Sequence, residues 1–302
     1  MQGTGFMDLK IYLKEKRALV DEALERFLPE SDERSAEVVK AMRYSLFAGG
    51  KRLRPILCIA GAEAVGGDVQ SVMPVACALE MIHTYSLIHD DLPVMDNDDV
   101  RRGKPTNHKV FGEAMALLAG DGLLTKAFYL MTYPDPENRV KPGDALKVIS
   151  LIAAAAGYEG MVGGQVVDIQ SEGKEGGSSD VEFIHTHKTG ALIVASVCSG
   201  GIISGAEKEQ LKALTSYGED IGLAFQVADD ILNIEGSSQQ MGKSVGSDVQ
   251  KGKITYPAVF GLERSKKIQR ALVDRAVETL KPFEDRADPL RHIAKYIIKR
   301  KK

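Results

Sequence analysis

The chain has 302 residues, 44% hydrophobic and 27% charged, with a net charge of 39 − 42 = −3. That length allows one large domain or two small ones, with ample apolar material for a core. The near-neutral charge gives no global pull toward nucleic acid or an anionic membrane surface. Cys58, Cys77 and Cys198 stand far apart with no CxxC pair, which suits a reducing cytoplasm and reads as three buried small hydrophobes. No apolar run is expected to reach the roughly 18 residues of a spanning helix. The N-terminal MQGTGFMDLK lacks the basic flank and apolar core of a signal peptide, and Met7 reads as the start behind a short leader.

Apolar residues recur at helical spacing from Leu9 to Phe27, and Pro29 stops them. Ser31 or Asp32 is expected to cap a second helix ending at Phe47, before Gly49-Gly50. Arg54-Pro55 opens a third, running to about Val65. Val72 to His89 is apolar nearly all round, so it predicts a buried helix. Further helices are expected over 114–131, 144–167, 180–204, 207–234, 255–262, 266–280 and 290–298. Loops fall at 133–143, 173–179 and 236–252. Strand alternation, repeats and linkers are absent from the pattern. The reading is one all-α domain over residues 1–302, with ten or more helices.

Chemistry concentrates first between His83 and His108, HTYSLIHDDLPVMDNDDVRRGKPTNH. Asp90, Asp91 and Asp96 are spaced to hold divalent metal, with Arg101 and Arg102 just beyond. Acids and guanidiniums this dense repel or quench one another unless something bridges them. Mg²⁺ with a phosphate-bearing substrate does so, because Mg²⁺ is held by one or two carboxylates plus substrate phosphates. His83 and Asp90 are two helical turns apart and share a face. Asp90 and Asp96, six apart, do not share one on an unbroken helix, and Pro93 between them predicts a bulge that returns Asp96 to Asp90's side. The plain alternative, a helix end with solvated acids, fits any single Asp but not this ordered set.

A second acidic group lies in FQVADDILN, where Gln226, Asp229 and Asn233 share one face of an apolar helix and Asp230 stands beside them. A structural ion pair with a lysine would explain this group alone. Two acid pairs, each ending a buried helix, point instead to metals held between them, since buried carboxylates are costly unless paired or metal-bound. Basic residues form three further groups. GGKRLRP sets Lys51, Arg52 and Arg54 at a helix start behind two glycines, a setting that suits an anion. HTHKTGAL carries Lys188 and Thr189, and GKSVGSDVQKGKITYP carries Lys243 and Lys253 on a glycine-rich loop. Each is weak alone. Together they gather positive charge where acids and metals also gather.

These five ordered motifs, from GGKRLRP to GKITYP and covering about residues 43–260, resemble the trans-isoprenyl diphosphate synthases, most nearly the bacterial farnesyl diphosphate synthases. The resemblance implies an isoprenoid-synthase-type bundle around a central cavity, a homodimer, and three Mg²⁺ ions with Mn²⁺ as an alternative. It implies metal binding by Asp90, Asp91 and Asp96 from one wall and by Asp229, with Asp230, from the other. Arg101, Lys188 and Lys253 would clamp the allylic diphosphate, with Gln226, Thr189 and Lys243 nearby. Isopentenyl diphosphate would sit on Lys51, Arg54, His83 and Arg102. Catalytic weight would fall on Asp90, Asp96, Arg101, Lys188, Asp229 and Lys253. One departure stands out: the second motif usually ends in Asp, and here the fifth position is Asn233.

Tyr85, five residues before Asp90 with Ser86 beside it, would point into the cavity and set product length. A ring there stops the growing tail near fifteen carbons in this family. The expected product is therefore farnesyl diphosphate, with a geranylgeranyl or longer-chain synthase as the alternative. A terpene cyclase is disfavoured by Asp229-Asp230 and GGKRLRP, and a non-catalytic partner subunit by the presence of both acidic motifs.

Overall fold

The structure is a computed structural model and describes residues 7–132, 140–174, 176–235 and 253–299. Lys243, with the rest of the expected loop 236–252, most of the expected loop 133–143 and residues 300–302, lies outside the described residues. Asp8 caps the first helix, accepting from the backbone N–H of Lys10 at 2.8 Å. That helix, α1, spans Leu9–Phe27 as the spacing predicts, and α2 follows at Ala36–Leu46, entering at Ser35 rather than at Ser31 or Asp32. Then come α3 (Leu53–Ala64) and α4 (Val69–Asp90), longer at its start than the apolar run suggests because Asp68 caps it.

The remaining helices are α5 (Asn107–Phe111), α6 (Glu113–Met131), α7 (Pro142–Ala156), α8 (Met161–Ser171), α9 (Ser178–Ile184), α10 (Ala191–Ile203) and α11 (Lys208–Glu235). They continue with α12 (Tyr256–Phe260), α13 (Leu262–Thr279) and α14 (Asp288–Lys299). The architecture is all-α, as expected. The one exception among the described residues is a hairpin of two-residue strands, β1 (Val100–Arg101) and β2 (Lys104–Pro105). Arg102 (φ 54°) and Gly103 (φ 77°) turn it, and two successive left-handed residues are what a tight hairpin of this hand requires.

Two expected helices are divided. The 144–167 run breaks at Gly157–Gly160, where a β-carbon on Gly160 would lie 2.2 Å from the Ala155 carbonyl oxygen. The 180–204 run stays helical but widens to a π-turn at His185–Gly190, the stretch that carries Lys188 and Thr189. Such widened turns recur at functional sites because they re-aim side chains.

Among the described residues, apolar side chains form two large cores that share α3 and α10 between them, and a small third cluster of Val181, Val227, Ile231 and Tyr256. One large core gathers α1, α2, α6 and α7 about α4, and the other gathers α13 and α14 about α11. Helices α3 and α10 touch backbone to backbone, since a β-carbon on Gly61 would stand 2.2 Å from the Val197 carbonyl oxygen and one on Gly200 1.9 Å from that of Cys58. Burial leaves all three cysteines as free thiols and pushes Cys198 up to about 11.

The expectation about spanning helices needs correction. Val69–Asp90, Glu113–Met131 and Pro142–Ser171 are each long and apolar enough to cross a membrane by length and composition alone. For the first, 72% of the apolar window is packed inside the protein, so its hydropathy is that of a core helix. The other two bury only 39% and 33% and leave Leu117, Leu118, Tyr129 and Leu146 exposed.

Candidate functional site

A cavity of about 590 Å³ opens between α4, α8, the π-turn and α11. Its size lies within the range of small-molecule sites. It is built by helices that end or widen at its mouth. Helix α4 stops at Asp90, and the chain folds back through Leu92–Met95 so that the Asp96 N–H donates to the Asp90 carbonyl at 2.8 Å. Asp96 thus returns beside Asp90, as expected, but through a helix end and a tight turn rather than a bulge in a continuing helix. Asn97, at φ 51°, completes the reversal. Asp90 and Asp96 line one side of the cavity and Asp229, with Gln226, the other.

Asp90 is largely enclosed, and burial, with Asp96 adding like charge, raises its carboxyl above the usual range even though Lys188 pulls it down. A carboxylate held under such strain is stabilised by a cation brought to it. Among the described residues, no group of three or more His, Cys, Asp or Glu stands close enough to hold a metal by itself. The carboxylates that line the cavity, Asp90 and Asp96 on one side and Asp229 on the other, are hard oxygen donors of the kind that suit a hard divalent cation completing its shell with phosphate and water.

Two of the five expected metal ligands face elsewhere. Asp91 is 3% exposed and outside the cavity lining, and its carboxylate receives the Arg101 guanidinium at 2.7 and 2.8 Å. Asp230 accepts from the Tyr256 backbone N–H at 2.8 Å and bonds His185 Nε2 at 2.8 Å, tying α11 to the π-turn and α12. The reason is register: adjacent helical residues point about 100° apart, so when Asp90 and Asp229 face the cavity their neighbours cannot. Asn233 is also buried outside the lining, so the change from the usual Asp removes no carboxylate from the cavity.

Arg101, Lys188, Thr189 and Lys253 all reach the cavity. Lys188 donates to Asp168 Oδ2 at 2.6 Å, and Lys253 Nζ lies 3.6 Å from the same oxygen and 3.5 Å from Asp96. Asp168 on α8 thus gathers two lysines at the mouth. Sequence reasoning missed it, together with Gln165, whose Oε1 is buried without a partner. The signal was present: an amide and an acid three apart on an apolar helix, the same pattern weighed at Gln226 and Asp229. Gly164 lets α8 approach, since a β-carbon there would meet the Lys188 backbone nitrogen at 2.3 Å.

Arg54 and His83 line the cavity as well, and both are pushed toward their neutral forms. Burial lowers Arg54 to about 10, with Arg102 adding like charge, and His83 is driven well below its usual value by burial and then by Arg54, Arg102 and Arg101. Arg54 Nε is buried without a partner. This corner therefore holds crowded positive charge, which a polyanion relieves. Arg102 stands just behind it, outside the lining, donating to the Gly49 carbonyl and resting on Gly50, where a β-carbon would lie 2.7 Å from the guanidinium. Lys51 is exposed and also outside the lining. Tyr85 and Ser86 line the apolar part with Met161, Val162 and Val166.

The Polyprenyl synthetase family profile matches residues 35–296. The chain is 54% identical over 260 residues to the farnesyl diphosphate synthase of Geobacillus stearothermophilus, covering 86% of this chain and 87% of that protein. It is 45% identical over 295 residues to the geranylgeranyl diphosphate synthase of Cyanophora paradoxa, covering 97% of each. The crystal structure of geranylgeranyl pyrophosphate synthetase from Pyrococcus horikoshii superposes with a TM-score of 0.86 at 34% identity, covering 97% of this chain and 98% of that one. The chain belongs to the polyprenyl synthetase family and is a trans-prenyl synthase with the all-α isoprenoid-synthase fold.

Proposed function

We propose that the chain, acting as one domain, condenses isopentenyl diphosphate with dimethylallyl diphosphate and then with geranyl diphosphate, releasing farnesyl diphosphate. The observation that carries this reading is the cavity itself. Asp90 and Asp96 face Asp229 at its polar side, lysines and arginines surround them, and apolar side chains line the rest. Asp90, Asp96 and Asp229 would hold Mg²⁺, which supplies neutralisation of the leaving diphosphate. Lys188, Lys253 and Arg101 line the same cavity and would spread the diphosphate's charge as the C–O bond lengthens, the kind of electrostatic stabilisation that dominates catalysis. Asp168 holds the two lysine heads in place for this. Arg54 and His83, with Arg102 and Lys51 behind them, receive the diphosphate of isopentenyl diphosphate, whose double bond attacks the allylic carbon. The proton lost afterwards passes to the departing diphosphate, and Met161, Val162 and Val166 keep water from the cation.

Product length is the finer part of the proposal. Tyr85 sits five residues before Asp90 on α4, about 7.5 Å deeper along the helix axis. Its ring is 7% exposed and faces the cavity, so it supports a floor under a fifteen-carbon tail. The relatives carry both farnesyl and geranylgeranyl names, and the floor residue is what would separate the two outcomes. Tyr85→Ala is expected to lengthen the product to twenty carbons or more when the enzyme is supplied with dimethylallyl and isopentenyl diphosphates and Mg²⁺. Chain length read by mass decides it: an unaltered fifteen-carbon product would remove Tyr85 as the floor.

The same proposal includes a homodimer. Leu117, Leu118 and Tyr129 on α6 and Leu146 on α7 are 47%, 54%, 57% and 66% exposed, an apolar surface of the kind that marks an interface. A second copy of the chain is its expected occupant. Light scattering should return about twice the 32.7 kDa chain mass, and a value near 32.7 kDa would count against the dimer.

A further inference from the structure

We infer that His89, seated in a notch made by the missing side chain of Gly120, is a second determinant of product length and acts by bracing Tyr85. The inference rests on Tyr85 forming the floor. Tyr85 and His89 are four residues apart on α4, so their side chains lie on one face, and both line the cavity. Their rings meet edge to face, with centroids 5.6 Å apart and planes at 81°. On its other side the His89 ring lies against α6. Its Nε2 stands 3.0 Å from the Leu117 carbonyl oxygen, which only accepts, so Nε2 carries the proton and donates.

The fit against α6 depends on residue 120 being glycine. A β-carbon there would lie 2.1 Å from Nε2, 2.4 Å from Cδ2 and 2.9 Å from Cε1. These are distances no pair of atoms sustains, so any larger residue expels the ring from the notch. The backbone of α6 closes that side, and the ring's other neighbours are Tyr85 and the cavity that both rings line. His89 is therefore a positioning residue: it transmits the location of α6 to the floor ring, and it forms part of the wall that a growing tail passes. Across the notch Nε2 also lies 3.9 Å from Asp121 Oδ1, a second hold of α6 on the ring.

The test uses the full-length enzyme with dimethylallyl and isopentenyl diphosphates and Mg²⁺, and reads the ratios of ten-, fifteen- and twenty-carbon products by mass. Gly120→Ala should press the ring into the cavity and raise the ten- to fifteen-carbon ratio by about tenfold, the scale of one methylene's discrimination in an apolar pocket. His89→Ala, which only removes atoms and so does not depend on tolerating a clash, should release Tyr85 and raise the twenty-carbon share. In the His89→Ala background, Gly120→Ala should add nothing, because no ring remains to be displaced. A merely structural role would not shift the two ratios in opposite directions. If Tyr85→Ala leaves the product unchanged, the floor fails and this inference fails with it. If Tyr85→Ala lengthens the product but His89→Ala leaves the distribution as in the native enzyme, the brace alone is overturned. The brace is equally overturned if Gly120→Ala shifts the ratio just as much without His89.

Discussion

Asp229→Asn should lower turnover by about 10²–10³-fold and move the Mg²⁺ concentration needed for half-maximal rate upward. The size follows from removing one preorganised charge that stabilises the transition state, for which losses of about 10²–10³ in kcat are typical. The direction of the Mg²⁺ shift follows from the geometry. On the α4 side two carboxylates, Asp90 and Asp96, face the cavity, whereas on the α11 side Asp229 faces it and Asp230 does not. Loss of Asp229 therefore leaves α11 with no carboxylate of this motif at the cavity. Asp230→Asn supplies the contrast. It should leave the Mg²⁺ dependence as in the native enzyme and act on stability, because Asp230 joins His185 and the Tyr256 backbone rather than the cavity. Initial rates against Mg²⁺ for both variants check this. Equal Mg²⁺ shifts in the two would mean that both acids serve the metals.

Glu80→Ala should lower thermal stability by about 3–5 kcal/mol, the usual result of removing one partner from a buried ion pair. Glu80 and Arg52 have side chains 2% and 1% exposed and meet at 2.9 Å. Arg52 also donates to Asp21 at 2.7 Å and to the Leu46 carbonyl at 2.8 Å. Taking out Glu80 leaves the guanidinium buried with only Asp21, itself 35% exposed, to balance it. The Asp21 and Leu46 contacts keep the guanidinium where it is, at the residue whose left-handed conformation (φ 52°, ψ 36°) starts α3. At roughly 2 °C per kcal/mol for a chain of this size, the melting midpoint should fall by about 6–10 °C. A melting curve reads it directly, and a change under 2 °C would show that the pair contributes little. The linked expectation is a loss of affinity for isopentenyl diphosphate, since α3 and α4 are joined through this pair.

The all-α architecture was legible because period-3.6 apolar patterning needs no tertiary information. Leu9–Phe27 came out to the residue with Pro29 as its stop, and the structure added Asp8 as its cap. The two breaks in the long helices were not legible. Gly157–Gly160 and the π-turn at His185–Gly190 read as uninterrupted helix because a widened turn changes hydrogen bonding without changing composition. Helix length was also misjudged, since α4, capped by Asp68, starts three residues before the apolar run that marked it.

Sequence by itself determined which residue types the site contains: the two acidic motifs, GGKRLRP, the lysines and the tyrosine five before Asp90 carry their chemistry in their order, because charge and donor identity are properties of the residue. Tertiary structure decided which of them face one another. It turned Asp91 toward Arg101 and Asp230 toward His185, since neighbouring helical positions cannot share a face. It brought Asp168 from α8 to two lysines on other segments, and it fitted His89 into α6 at Gly120. Those contacts join residues 10 to 85 positions apart, and no local pattern encodes the helix packing that closes such distances.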